Sequence, residues 1–125
     1  MILDTDILIW YLRGNEKATE AVVNSIPFSV SIVTYMELLQ GMRNKQELIK
    51  MKHAFNQMSV LILPINEDIS FRAAEYVELF GLSNSMEMAD ALIASTCIEN
   101  GESLFTANDK HYKVIEKLNL KAFRP

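Results

Sequence analysis

The chain has 125 residues, 50% hydrophobic and 22% charged, with a net charge of −4. This is an ordinary length for one domain and enough apolar content for one real core, so residues 1–125 are expected to form a single domain. The composition excludes a largely disordered chain, the apolar runs are too short to span a bilayer, and the acidic balance gives no long-range attraction for nucleic acid.

In chain order, Ile2 to Asp4 reads as a very short strand, and Thr5-Asp6 caps a helix through Leu12 that ends near Arg13-Gly14. Asp4 and Asp6 also interrupt the segment where a signal peptide would need its apolar stretch. A helix over Glu16 to Asn24 follows, then a strand over Phe28 to Val33, where apolar residues alternate with serine. Thr34 is the expected N-cap of a helix carrying Glu37, and beyond Gly41 an amphipathic helix runs from about Lys45 to Gln57. Val60 to Leu63 is a strand stopped by Pro64. It leads into a helix from Glu67 to Phe80 whose Phe71, Ala74, Val77 and Phe80 recur at helical spacing, with Gly81 at its end. Glu87 to Glu99 is apolar nearly all round, as a helix in the middle of a domain would be. A strand over Ser103 to Thr106, a helix over Lys110 to Lys117 and a last strand over Lys121 to Phe123 complete the pattern. Strands alternating with helices predict a three-layer α/β/α sandwich around a mostly parallel sheet of four to five strands. The single cysteine, Cys97, excludes an internal disulfide and suits a packing role in a reducing cytoplasm.

Against this background the acids stand out. Asp4, Glu37 and Asp90 interrupt stretches that are otherwise apolar, and a buried carboxylate needs a partner or a metal because desolvating it costs several kcal/mol. In open α/β sheets, sites form beyond the C-terminal edges of the strands, which is where Asp4 and Thr106-Ala107-Asn108-Asp109 fall. Gathered there, three or four acids suit one or two Mg²⁺ ions, with Mn²⁺ a substitute, since these ions prefer hard oxygen ligands. A metal so held activates water and polarises a phosphoryl oxygen, as phosphodiester hydrolysis requires. No Gly-rich phosphate loop or Gly-x-Ser-x-Gly elbow is present, and His53 and His111 lack zinc-ligand spacing.

Four motifs together resemble the PIN domain family, and within it the VapC-type toxin ribonucleases of VapBC toxin–antitoxin systems. They are Leu3-Asp4-Thr5-Asp6, Val33-Thr34-Tyr35-Met36-Glu37-Leu38 with Gly41, Ala89-Asp90-Ala91-Leu92-Ile93-Ala94-Ser95-Thr96, and Thr106-Ala107-Asn108-Asp109-Lys110-His111-Tyr112. The resemblance implies a three-layer PIN fold, Mg²⁺-dependent RNA cleavage, homodimerisation and neutralisation by a VapB-type antitoxin. Carried over by position, Asp4 and Asp90 match the family's metal-binding aspartates and Glu37 its second acid. Relatives often carry Asn or Ser where Asp6 stands, which implies a cap or a hydrogen bond to a ligand rather than direct ligation. Their fourth acid falls where Asn108 or His111 stands, so Asp109, between the two, either takes that role or caps the following helix. Thr5, Thr106 and Asn108 have oxygens to offer such a site.

Two other readings remain open. Asp4-Thr5-Asp6 also resembles the Asp-x-Asp motif of haloacid-dehalogenase-like phosphotransferases, with Asp4 as covalent nucleophile, but this gives Glu37 no role. A receiver-like domain that binds metal or a partner without cleaving anything is the other. The basic segment Arg43, Lys45, Lys50, Lys52 and His53 is either a solvated helix face or a contact for RNA phosphates. Trp10, Tyr11 and Tyr35 lie in apolar helical patterns that suit packing in the core or a dimer interface better than base stacking.

Overall fold

A computed structural model describes residues 1–125. Its elements are β1 (Ile2–Leu3), α1 (Thr5–Leu12), α2 (Glu16–Ser25), β2 (Ser29–Ser31), α3 (Ile32–Gln40), α4 (Lys45–Gln57), β3 (Leu61–Leu63), α5 (Glu67–Asn84), α6 (Met88–Glu99), β4 (Leu104–Thr106), α7 (Asp109–Tyr112) and β5 (Leu120–Ala122). The five strands form one sheet in the order β3-β2-β1-β4-β5, and every pairing is parallel. Ile2 aligns with Ser29 on one side and Leu104 on the other.

Alternation along the strands feeds two cores. Ile2 and Leu104 enter one with Ala73 and Tyr76 of α5 and Ala91, Ile93, Ala94 and Cys97 of α6. Their neighbours Leu3 and Phe105 enter the other with Ile7 and Leu8 of α1, Val22 of α2 and Met51 and Phe55 of α4. Successive strand residues point to opposite faces, so a two-residue β1 is enough to anchor both. Strands buried on both faces and joined through helices are what the alternating pattern predicts.

Helix starts are set by short polar side chains. Asn15, Asn44 and Asn66 accept from the backbone N–H groups of Ala18, Glu47 and Ile69, each satisfying a donor that the first turn leaves unpaired.

Four boundaries differ from the sequence reading. The second strand ends at Ser31, whose Oγ caps α3 by accepting from Val33 N at 3.0 Å, so Thr34 is no cap but a buried residue in the first turn. The helix through Gly81 continues to Asn84 and closes on Ser85 in the left-handed region, with φ 54°. Its buried face is Ile69, Ala73 and Tyr76, whereas Phe71 is 71% exposed and Val77 also faces solvent. The helix expected over Lys110 to Lys117 stops at Tyr112. Bonds from Ile115 N to Tyr112 O and from Leu118 N to Ile115 O tighten the chain into turns that bury Tyr112, Ile115 and Leu118 together.

Cys97 is fully buried, and burial pushes its thiol above the ordinary value, in keeping with packing. Tyr35 packs on Phe55 with ring centroids 5.9 Å apart, while Trp10 lies at the surface. No helix is long and apolar enough to cross a membrane.

Candidate active site

Strand order reverses at β1, which has β2 on one side and β4 on the other. A crevice at such a switch point, outside the C-terminal ends of the strands, is where α/β sheets place their sites. Asp4 follows the last residue of β1, and Thr106 is the last residue of β4.

Asp4 is the N-cap of α1. One carboxylate oxygen, Oδ1, accepts from Thr5 N at 2.8 Å, and Oδ2 accepts from Thr106 Oγ1 at 2.8 Å. Asp6, in the first turn, turns back to the same edge: Oδ1 accepts from Ile7 N at 2.7 Å and Oδ2 from Ala107 N at 3.1 Å. Asp90 enters from the first turn of α6, where the positive end of the helix favours a carboxylate. Its Oδ1 accepts from the Tyr112 hydroxyl at 3.3 Å, and its Oδ2 lies 2.8 Å from His111 Nε2. The same Tyr112 hydroxyl bonds Asp4, so it joins the two acids.

Glu37 approaches from α3. Thr5 Oγ1 lies 2.7 Å from Glu37 Oε1 and 3.0 Å from Thr34 Oγ1. A hydroxyl has one proton to give, and the shorter, charged contact takes it, leaving Thr34 to donate to Thr5. Asp4, Asp6 and Asp90 thus share one network, and Glu37 is tied to its rim through the residue after Asp4.

Asp109 is not part of that network. Its Oδ1 accepts from Arg124 Nη1 at 2.7 Å, and the guanidinium holds the carboxyl below its ordinary value. Asn108 is exposed; its backbone N donates to Thr106 Oγ1 at 3.0 Å.

The electrostatics record how closely the acids stand. Burial first, then repulsion from Asp6, raises Asp4 from 3.8 to about 7, against the opposing bonds from Thr106, Thr5 and Tyr112. Asp6 is raised too, by burial, with Asp90 adding repulsion. Tyr112, buried beside Asp4 and Asp90, is held strongly in its protonated form. Hard carboxylate oxygens that repel one another are the donor chemistry of a divalent-cation site. As they stand, no three His, Cys, Asp or Glu side chains converge closely enough to hold an ion, because Asp90 is turned onto His111 and Asp4 onto Thr106.

Beside Glu37 lies a groove of about 610 Å³ between α1, α3 and α4. Arg13, Arg43 and Lys50 line it above Ile9, Leu12, Leu38 and Met42, and Arg43 is paired with Glu47 at 2.8 Å. Of the basic segment, Lys45, Lys52 and His53 are exposed elsewhere on α4 and do not line it.

Sequence reasoning assigned no role to His111, Tyr112 or Arg124. For His111 a signal existed, since it stands where relatives carry an acid. Tyr112 and Arg124 gave none, because what they touch is set by distant parts of the chain.

Comparison with known proteins agrees with this geometry. No curated protein matches the chain by sequence. Among solved structures, it is similar to a toxin–antitoxin complex from Klebsiella pneumoniae, with TM-score 0.79 and 24% identity over 94% of this chain and 93% of that one. VapBC-1 from nontypeable Haemophilus influenzae gives TM-score 0.80 and 22% identity over 97% and 96%, and VapBC2 from Rickettsia felis 0.79 and 22% over 98% of each. Identities of this size establish the fold. The PIN domain family model, however, matches residues 1–118, which takes in the acids of β1, α3 and α6 and the turn after β4, and the chain therefore belongs to the PIN domain family.

Proposed function

We propose that this chain is a divalent-cation-dependent endoribonuclease, the toxin of a VapBC-type module, which hydrolyses RNA phosphodiester bonds at the edge formed by Asp4, Asp90 and Glu37. PIN domains are nucleases, and the observation that carries the reading here is the convergence of Asp4, Asp6 and Asp90 on one strand edge with Asp4 raised to about 7. A bound Mg²⁺ or Mn²⁺ supplies the positive charge this edge lacks, polarises the scissile phosphate and lowers the pKa of the attacking water.

The protein's own part is to hold its acids in place. Thr106 and the Thr5 amide fix both oxygens of Asp4, so its orientation survives ionisation. Asp6 is tied to the Ile7 and Ala107 amides, which suits a residue that positions the loop after β4 rather than a ligand. The Thr34–Thr5–Glu37 chain places the second acid at the mouth of the basic groove. There Arg13, Arg43 and Lys50 are placed to draw an RNA backbone past Glu37, a local attraction that the net charge conceals. Asp109, engaged by Arg124, is left out of this assignment.

The phosphotransferase alternative gives Glu37 and the groove no function, and the family match does not favour it. The neighbours described as VapBC complexes support a VapB-type antitoxin as partner, in the cytoplasm. Exposed Phe71, Leu79, Leu82 and Met88 support a homodimer through α5 and the start of α6. The test of the toxin role is growth. The wild-type chain, produced without an antitoxin, should arrest its host, and Asp90→Ala at equal abundance should not. Arrest by both alike would count against a toxin built on this site.

A further inference from the structure

We propose that His111 is a ligand of the cation bound at Asp90, and that its imidazole nitrogen tunes the site toward a transition-metal dication such as Mn²⁺ over Mg²⁺. This rests on the reading of the acidic edge as a cation site and adds to it a nitrogen donor. Three observations carry it.

The first is position. His111 Nε2 lies 2.8 Å from Asp90 Oδ2, and both side chains are about a quarter exposed, at 24% and 27%, at the open edge of the acid network. Two ligand atoms in adjacent octahedral positions, each about 2.1 Å from an ion, stand about 3.0 Å apart. The nitrogen and oxygen are therefore already at the separation of neighbouring ligands.

The second is orientation. The imidazole meets the Tyr112 ring edge-on, with centroids 5.9 Å apart and planes at 78°, and the Tyr112 hydroxyl holds the other oxygen of Asp90. One residue pair thus fixes both donors. In the neutral ring the proton between Nε2 and Asp90 has an alternative seat on Nδ1. That tautomer turns the Nε2 lone pair toward a cation without any change of net charge.

The third is the chemistry of the set. Asp4, Asp6 and Asp90 already repel one another, so another carboxylate would deepen the repulsion, whereas a neutral imidazole adds a donor and no charge. Carboxylates alone suit Mg²⁺, while an imidazole among them favours first-row transition ions, whose affinities rise from Mn²⁺ through Co²⁺ to Ni²⁺. Binding through His111 also leaves Asp90 beside its present neighbour.

The experiment is a Mn²⁺ titration of the chelator-treated full chain, read by electron paramagnetic resonance with pulsed detection of nitrogen-14 coupling, and repeated in competition with Mg²⁺. The wild type should bind Mn²⁺ with the coupling of a directly bound imidazole. His111→Gln should lose that coupling and about tenfold or more in Mn²⁺ affinity, with Mg²⁺ affinity changed by less than about threefold. His111→Asp should lose the coupling and shift preference toward Mg²⁺. Mn²⁺ that is lost in Asp4→Asn but shows no imidazole coupling in the wild type would overturn the role of His111 and leave the acidic cation site standing. An unchanged Mn²⁺ to Mg²⁺ ratio in His111→Gln would do the same. Absence of any Mn²⁺ binding by the wild type would overturn both readings. Should a variant fail to fold, the wild-type spectrum alone decides.

Discussion

Asp4 carries the largest electrostatic cost in the site, and its sign can be followed through pH. Its carboxyl titrates at about 7 in the folded chain and near 3.8 when unfolded, so between those values the folded state alone retains the proton. Stability from this group therefore falls as pH rises from about 4 to about 7, by a few kcal/mol at most, and stays low above that. In metal-free buffer the melting temperature should drop across this window. Asp4→Asn, whose Oδ1 still accepts from Thr5 N, should flatten the drop and melt several degrees higher near pH 8. An equal slope in both proteins would show that Asp4 is not the buried charge described. Asp109 makes the contrast, because Arg124 already takes its charge. Asp109→Asn should leave RNA cleavage within about threefold of wild type, and a loss of a hundredfold or more would return Asp109 to the catalytic set. Asp4 and Asp90 were legible because an acid inside an apolar run is costly. The Arg124 pairing was not, since it depends on where β5 delivers the chain end.

At the scale of elements, helix existence was legible and helix faces were less so. α5 carries two apolar stripes: Phe71, Ala74, Val77 and Phe80 caught the eye, but Ile69, Ala73 and Tyr76 face the sheet. Periodicity identifies a helix without saying which stripe meets the core when a second surface awaits a partner. Tyr76→Ala should therefore destabilise the fold, by about 3 kcal/mol. The double change Phe71→Glu and Leu82→Glu should leave the melting temperature within a few degrees and convert a dimer to a monomer in light scattering. Dimers that persist in the double variant would move the interface elsewhere. The start of α3 was displaced for a similar reason. Ser31 and Thr34 are both good caps in isolation, and the register of β2 with β3, which ends at the pair Ser31 and Leu63, selects Ser31. Thr34 is thereby drawn inside, where it supports Thr5 and Glu37.

For the whole molecule, the alternation of strands and helices and the position of acids after strands were enough to foresee a parallel sheet with a site at its C-terminal edge. Three-dimensional folding adds what spacing cannot hold. The switch point at β1 sets Asp4 against Thr106 across 102 residues, α6 brings Asp90 under the Tyr112 hydroxyl, and α3 sets Glu37 at a basic groove that an acidic chain would not advertise. The central claim is that these acids form a cation-dependent ribonuclease site, and cleavage of a single-stranded RNA by the purified chain tests it most directly. With Mg²⁺ or Mn²⁺ the wild type should cut, chelation should stop it, and a folded Asp4→Asn should be slower by about a hundredfold or more. Cleavage that survives chelation, or that a folded Asp4→Asn performs at the wild-type rate, would contradict it.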